Sequence, residues 1–132
     1  YKSFMPIYRG MEPEKYLAEP YVTPGNVDGP DSPYFGRGGW TWYTGSAAWY
    51  FIVGVEGILG LKPDWNGLII DPLLPEGWKE ANVKRYFRGK LLNITYKKSS
   101  EKKILVNGKK LEGNLLNPKD YKEEILNVTV YY

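Results

Sequence analysis

The segment TGSAAWYFIVGVEGILGL, residues 44–61, carries apolar side chains on every face of a helix rather than along one stripe. Such a helix is buried on all sides in a folded protein. Thr44 is suited to the N-cap and Gly60 to the left-handed position that ends a helix. Glu56 and several glycines interrupt the run, which is shorter than the ~20 apolar residues that span a bilayer. The sequence therefore predicts a buried helix and no membrane segment.

This helix needs neighbours, and no second amphipathic helix is visible in the 132 residues. Two interpretations stay open. Either the chain's own sheet wraps the helix, or residues 1–60 belong to a helical domain whose remainder lies outside this sequence. Upstream of the helix, residues 1–43 are rich in Pro, Gly and Tyr, with turn signals such as Pro24-Gly25. They predict a long irregular loop, a feature that is usually functional in a compact domain.

From Leu61 onward the pattern changes to short β-rich runs separated by turn residues. These runs are GLIIDPLLP, VKRYFRG, KLLNITYKK, KKILVNGKKLEG and ILNVTVYY. Asn107-Gly108 is a strong signal for a two-residue type I′ hairpin. Strands at this spacing predict an antiparallel β-sandwich or jelly roll. The expected fold is mixed α and β, with a boundary between residues 1–60 and 61–132.

Composition excludes several classes of site. The chain has no His and no Cys, so a Ser-His-Asp triad, a thiolate zinc site and a disulfide framework cannot come from it. The absence of Cys fits a reducing compartment, and a cytoplasmic location is expected. A net charge of +3, with 18 Lys and Arg spread along the chain, lacks the dense basic stripe of a nucleic-acid partner. No metal site is predicted.

The stretch GRGGWTWYTGSAAW, residues 36–49, concentrates glycines and aromatics at the start of the predicted helix. The first N–H groups of a helix are unpaired and carry partial positive charge, so Thr44 and Gly45 form a candidate phosphate site. On residue chemistry alone, the simpler interpretation is that Thr44 only caps the helix, and both roles stay open. The aromatic residues here either pack as core or line a sugar subsite; these are Trp40, Trp42, Tyr43 and Trp49.

A longer pattern resembles the C-terminal region of the inverting β-glycoside phosphorylases of glycoside hydrolase family 94. It consists of EPYVTPGNVDGPDSPYFGRGGWTWYTGSAAWYF (residues 19–51) and EGILGLKPDWNGLIIDPLLPEGW (residues 56–78). The family includes cellobiose, cellodextrin, chitobiose and cellobionic acid phosphorylases and part of cyclic β-1,2-glucan synthase. The resemblance covers about residues 4–96, and the Lys-rich tail fits the family only loosely.

The resemblance implies a large enzyme in which an (α/α)6 barrel carries the active site and a jelly roll follows it. Residues 1–60 would then be the barrel's closing loop and last helix, and residues 61–132 the jelly roll. By the same resemblance, Thr44 and Gly45 contact inorganic phosphate, which is a substrate; no cofactor is expected. The loop from Thr23 to Asp28 approaches the acceptor sugar, which makes Gly25 and Asn26 candidate substrate-binding residues.

Trp40 and Trp42 are predicted to line the sugar side of this site. Some relatives carry a Gln near Gly25, and this chain departs from them there, so the acceptor sugar is not identified. Sugar and phosphate are the expected ligands. Copies of this chain, or the rest of the barrel, are the expected protein partners.

The resemblance also explains why one carboxylic acid suffices, since phosphate is already an anionic nucleophile and needs no second carboxylate to activate it. In the family this acid is an Asp upstream of the matched region. No Asp here matches it, and Glu19 is expected to order its loop, so no catalytic residue is predicted and the chain alone is expected to be inactive.

Three functions remain open from the sequence. The chain is part of a phosphorylase that converts a β-linked glucoside and phosphate to a sugar 1-phosphate with inversion, a stand-alone carbohydrate-binding or interaction module, or an inactive remnant of a split gene.

Overall fold

The computed structural model describes residues 1–42 and 45–132 in full, together with the backbone of Thr44. Tyr43 and the side chain of Thr44, both singled out above, lie outside the described residues. The chain divides into two compact units, residues 1–54 and residues 55–132.

The first unit contains short elements joined by irregular backbone. A 3₁₀ turn at Lys2–Phe4 is followed by α1 (Pro6–Arg9), α2 (Pro13–Tyr16), β1 (Asn26–Val27), β2 (Gly38–Gly39) and α3 (Thr44–Ile52). Both α1 and α2 begin with Pro, whose fixed φ and missing N–H suit the first helical position. The predicted long loop over residues 1–43 is correct only in part: a 3₁₀ turn and two short helices occupy much of residues 2–16, whereas residues 17–42 are irregular apart from β1 and β2.

Helix α3 begins at Thr44 and continues into a π-helical turn at Val53–Ile58. Its large apolar side chains are open to solvent: Trp49 is 70% exposed and Phe51 is 69% exposed. The first of the two open interpretations, in which the chain's own residues cover the helix, is therefore not supported for these side chains. The all-round apolar pattern correctly signals a need for cover, but the described residues do not provide that cover. None of the described helices combines the length and the apolar character needed to cross a membrane.

The second unit is built from eight strands in two sheets. The strands are β3 (Leu61–Asp64), β4 (Gly67–Ile70), β5 (Glu80–Phe87), β6 (Lys90–Lys97), β7 (Lys103–Val106), β8 (Lys109–Lys110), β9 (Leu115–Leu116) and β10 (Ile125–Tyr131). One sheet has the order β5-β6-β10-β7-β8 and the other β3-β4-β9. A 3₁₀ turn at Pro118–Asp120 precedes β10.

Both sheets contribute to one apolar core, so they pack as a sandwich. Its fully buried side chains come from both sheets and include Leu61, Leu68, Ile70, Leu92, Ile94, Tyr96, Leu116, Leu126 and Val128. The Tyr96 hydroxyl donates a 2.8 Å hydrogen bond to the Leu59 carbonyl, which satisfies the one polar atom of that side chain. The predicted sandwich is thus consistent with the observed layers.

One strand pair departs from the predicted antiparallel arrangement. β10 pairs with β6 in parallel, from Ile125 opposite Leu91 to Tyr131 opposite Lys97. Its other neighbour, β7, is antiparallel. The five-stranded sheet is therefore mixed, because the chain returns to the middle of the sheet through the β9 and 3₁₀ segment rather than through a hairpin.

The tight turns of the second unit contain glycines with positive φ. Asn107 and Gly108 have φ of 50° and 81° between Val106 and Lys109, which are paired, so the predicted two-residue hairpin is confirmed. Arg88-Gly89 forms a second turn of this kind, with φ of 46° and 80°. Gly60 has φ of 68°, as predicted, and a Cβ there would clash with the Asp71 carbonyl oxygen.

Candidate functional site

The loop before α3 is held by a pair of very short strands. Asn26 pairs with Gly39, and the Gly25 N–H donates to both the Gly39 and Trp40 carbonyls at 3.0 Å. A Cβ on Gly39 would lie 2.8 Å from Asn26 Oδ1, and one on Gly25 would lie 2.9 Å from Trp40 Cβ. Glycine at these positions therefore lets the two loop segments approach each other closely.

This approach forms an open cleft of about 510 Å³, here called the loop cleft, which is lined by Gly25, Asn26, Trp40, Gly45 and Ser46. Four of the predicted site residues thus share one surface, although they come from three separate stretches of sequence. Ligand sites of this volume are common in proteins.

The two predicted tryptophans have different surroundings. Trp40 lines the loop cleft and is 70% exposed. Trp42 does not line it; its indole N–H donates a 2.9 Å hydrogen bond to Glu19 Oε1, and its ring meets Tyr21 edge to face. Both residues have positive φ, 55° and 68°. This conformation is rare for bulky residues and is concentrated at functional sites.

The Glu19 carboxylate accepts a hydrogen bond from Trp42 and so links its own loop to the segment before α3. Hydrogen bonds from its own backbone N–H and from the Trp42 indole hold the pKa of the Glu19 carboxyl below its ordinary value. The group is therefore ionised near neutral pH and carries no proton to donate. This agrees with the predicted role of Glu19 in ordering its loop.

Gly45 lies in the first turn of α3 and is exposed. A Cβ built on it would meet nothing within 4 Å, so the space beside its backbone is open. The neighbouring predicted ligand, the Thr44 hydroxyl, lies outside the described residues. Helix termini of this kind favour anions because the first N–H groups have no partner within the helix.

Ser46 is a lining residue that the sequence analysis did not single out. Its hydroxyl donates a 3.3 Å hydrogen bond to the Thr23 carbonyl, which ties the first turn of α3 to the loop before Gly25. A hydroxyl in the first turn of a helix was the available signal, but sequence does not show which carbonyl it reaches.

A second cleft of about 390 Å³ adjoins the first and shares Gly25 and Ser46 with it. Its wall includes Tyr1 and Tyr50, whose rings stack with centroids 3.9 Å apart. Burial is the main cause that raises the pKa of Tyr50 to about 12, with a contribution from its hydrogen bond to Tyr1. The Tyr50 hydroxyl therefore stays protonated and is a donor near neutral pH.

The acidic residue of the Thr23–Asp28 loop already forms an ion pair with an arginine. Asp28 Oδ2 accepts a 3.1 Å hydrogen bond from Arg37 Nε, and the backbone N–H of Asp28 donates to the Arg37 carbonyl. Within the described parts of the chain, no group of three or more acidic or other metal-ligating side chains is arranged to hold a metal ion.

Comparison with known families finds two matches along the chain. Residues 1–60 match the family model for the catalytic domain of the glycosyl hydrolase 94 superfamily. Residues 61–112 match the model for the C-terminal domain of glycosyl hydrolase family 65. The first match contains every residue of the loop cleft.

Individual relatives point to the same family. Cyclic beta-(1,2)-glucan synthase NdvB of Rhizobium meliloti (strain 1021) is 40% identical over 69% of this chain. Solabiose phosphorylase of Paenibacillus borealis is 33% identical over 74% of it, and cellobionic acid phosphorylase of Neurospora crassa is 36% identical over 58%. The chain spans only 3%, 13% and 10% of the lengths of these three relatives. The resemblance to glycoside hydrolase family 94 is confirmed.

Proposed function

We propose, on the premise that residues 1–60 are catalytic-domain sequence of glycoside hydrolase family 94, that this chain supplies the phosphate- and acceptor-contacting part of an inverting β-glycoside phosphorylase. The proposed reaction converts a β-linked glucoside disaccharide or oligosaccharide and inorganic phosphate to a sugar 1-phosphate. Relatives named solabiose, N,N'-diacetylchitobiose and cellobionic acid phosphorylase support the reaction class.

The observation that carries this proposal is the convergence in the loop cleft. Gly25 and Asn26 from one loop segment meet Trp40 from another and Gly45 from the helix start. The family resemblance assigns these positions to the acceptor sugar, the wall of the sugar site and phosphate. Their presence on one surface is what a phosphate next to a sugar requires.

The proposed roles follow from the local chemistry. The exposed backbone at Gly45 offers an N–H to a phosphate oxygen, and the absence of a Cβ leaves space for the anion. The exposed Trp40 ring offers an apolar face to the sugar. The Thr44 hydroxyl is proposed as a second phosphate donor.

The proton for the leaving sugar oxygen must come from elsewhere in the catalytic domain. Glu19 is ionised, and Asp28 is paired with Arg37. Neither group suits a general acid, which must hold a proton near the working pH. In the proposed enzyme the acid is supplied by a segment outside residues 1–132.

We further assign residues 1–60 to the closing loop and last helix of an (α/α)6 barrel and residues 61–132 to a jelly roll. The exposed apolar surface of α3 supports this assignment, because the other helices of a barrel would cover it. The small share of each relative that this chain spans also supports it.

A carbohydrate-binding module is the second candidate. The exposed rings of Trp40 and Trp42 favour it, since such rings also bind sugars in proteins without catalysis. It differs from the first candidate in requiring neither phosphate nor an acid. Sugar binding that is indifferent to phosphate, in a protein that releases no sugar 1-phosphate, would favour this function.

Substitution of Thr44 by Val tests the main proposal in the polypeptide that carries the complete catalytic domain. Loss of a hydrogen bond to a charged group costs ~1.5–3 kcal/mol, so phosphate-dependent efficiency should fall about 10- to 150-fold. Thermal melting of the same variant is the control. A cap alone predicts ~1 kcal/mol of lost stability with unaltered phosphate dependence, and that result would overturn the phosphate assignment.

A further inference from the structure

A separate cleft of about 350 Å³ lies wholly within the second unit, here called the sandwich-end cleft. It is formed where several strands end or begin on one side of the sandwich. β10 ends beside the start of β7, with Tyr131 opposite Lys103. Ile70, the last residue of β4, faces the same space.

The wall of this cleft is fixed at both ends. Residues 111–114 connect β8 in the five-stranded sheet to β9 in the three-stranded sheet. The Leu111 N–H donates to the Ile104 carbonyl at 2.9 Å, and the Asn114 carbonyl accepts from the Ile70 N–H at 2.8 Å. The segment therefore bridges the two sheets as a preformed wall, a usual property of small-molecule sites.

The floor and the rim of the cleft differ in chemistry. The apolar part of the lining, here called the floor, comprises the buried core residues Ile70, Ile104 and Val130 together with the half-buried Pro72 and Leu111. The rim carries Lys102 and Lys110, and Tyr131 stands beside them. An apolar base with a few polar groups around it suits a ring-shaped ligand that has one apolar face and polar substituents.

Two of the five charged side chains that line the cleft form ion pairs. Lys103 Nζ lies 2.8 Å from Glu101 Oε2, and Asp71 Oδ2 lies 3.0 Å from Lys62 Nζ. Within the described ranges, neither Lys102 nor Lys110 donates a side-chain hydrogen bond or makes an ion pair.

The remaining charged group on the lining is the Glu112 carboxylate, which opposes the two lysines. Lys110 also interacts electrostatically with the Glu101 carboxylate. The side-chain charges on the lining, three lysines against two carboxylates, nevertheless have a positive sum.

We infer that the sandwich-end cleft is a second binding site, which takes a single sugar-sized ring bearing a negatively charged group. The ring packs on the apolar floor, and the anion lies between Lys102 and Lys110. This site is distinct from the loop cleft and does not depend on the proposed phosphorylase activity. A phosphate ester and a carboxylate on the ring are two sources of the same anion chemistry.

Lys110 has a simpler explanation. It lies on β8, which is an edge strand, and lysines on edges prevent association between sheets. That role requires no ligand, no apolar floor and no bridging wall. Ligand binding that depends on Lys102 and Lys110, but not on other surface lysines, separates the two explanations.

The test is a titration of the isotope-labelled full chain, followed by NMR of its backbone amides, with glucose 1-phosphate, glucuronate, glucose and inorganic phosphate. Glucose 1-phosphate, glucuronate or both should shift residues 102–114 and 130–132 in a saturable manner. Glucose and inorganic phosphate should each bind these residues more weakly than the charged sugar. The preferred charged sugar identifies the anion source, and the location of the shifts separates this site from the loop cleft.

Variants complete the test. Lys102→Gln and Lys110→Gln should each weaken binding of the charged sugar by about fivefold, and Glu112→Gln should strengthen it. Lys84→Gln, at an exposed lysine on β5, is the matched control and should leave the affinity unchanged. The inference is overturned if no titrant shifts these residues, if inorganic phosphate binds as well as the charged sugars, or if Lys84→Gln weakens binding equally.

Discussion

Replacing Gly45 by Ala separates folding from anion binding at the start of α3. Apart from its chain neighbours and its own helix backbone, the added methyl group would meet no atom of the described residues within 4 Å, and Gly45 does not have a positive φ. Alanine should therefore be accommodated without strain. Because Gly loses more backbone entropy on folding than Ala, the variant should gain ~0.5–1 kcal/mol of stability.

The same methyl group should harm phosphate binding, because it occupies the space that the anion needs beside the backbone. If it displaces the oxygen that accepts from the Gly45 N–H, the loss is one hydrogen bond to a charged group, ~1.5–3 kcal/mol. The Michaelis constant for phosphate in the complete catalytic domain should then rise about 10- to 150-fold.

The assay pairs thermal melting with phosphate kinetics on the same preparations. Gly77→Ala is the matched control, since a Cβ there also meets nothing within 4 Å. It should leave phosphate kinetics unchanged. An unaltered phosphate constant in the Gly45 variant, together with a normal or raised melting temperature, would refute the assignment of Gly45 to phosphate.

Two further predictions concern other parts of the chain. Tyr96→Phe should lower the free energy of unfolding by ~1–3 kcal/mol, because it leaves the Leu59 carbonyl without its 2.8 Å donor; chemical denaturation measures this, and an unchanged midpoint would contradict it. The depressed pKa of Glu19 means that its support for the Trp42 indole is complete above the ordinary value of 4.5 and is lost only as pH falls through the lower, folded value. Tryptophan fluorescence should report this transition, and Glu19→Gln should abolish it; a transition that persists in that variant would assign it to another group.

The second unit was largely predictable from sequence because its signals are local. Alternation in LLNITY specifies which side chains face the core, and Asn107-Gly108 specifies a hairpin. The alternation of apolar and polar residues does not indicate which strands are neighbours in the sheet. The parallel pairing of β6 with β10 was therefore not predicted. The turn at Arg88-Gly89 was missed because Arg is not a usual residue for positive φ.

The candidate site was predicted only in its residue types. The family resemblance identified Gly25, Asn26, Trp40 and Gly45, and the structure adds that they share a cleft. The contact from Ser46 to the Thr23 carbonyl joins residues 23 positions apart, which no local pattern encodes. The assignment of Trp42 to the sugar side stays a prediction; the sequence did not indicate that its indole N–H donates to Glu19, a contact between residues 23 positions apart.

Burial of the apolar surface of α3 and anion binding at the start of this helix are physically linked. The helix has nine residues and the π-helical turn that continues it has six, which together are close to the ~12–15 residues below which an isolated helix is only marginal in water. Its stability must therefore come from packing against another apolar surface. Burial of the exposed Trp49 and Phe51 side chains there would contribute about 1.5–3 kcal/mol each.

We accordingly expect the isolated chain to self-associate through this face. We also expect it to bind phosphate more weakly than the complete catalytic domain does, because the first-turn N–H groups are aligned only while the helix is held. Light scattering and a phosphate titration of Trp49→Ser beside the unaltered chain measure both effects. A monomeric unaltered chain that binds phosphate as tightly as the complete domain would show that α3 needs no cover to present its N–H groups.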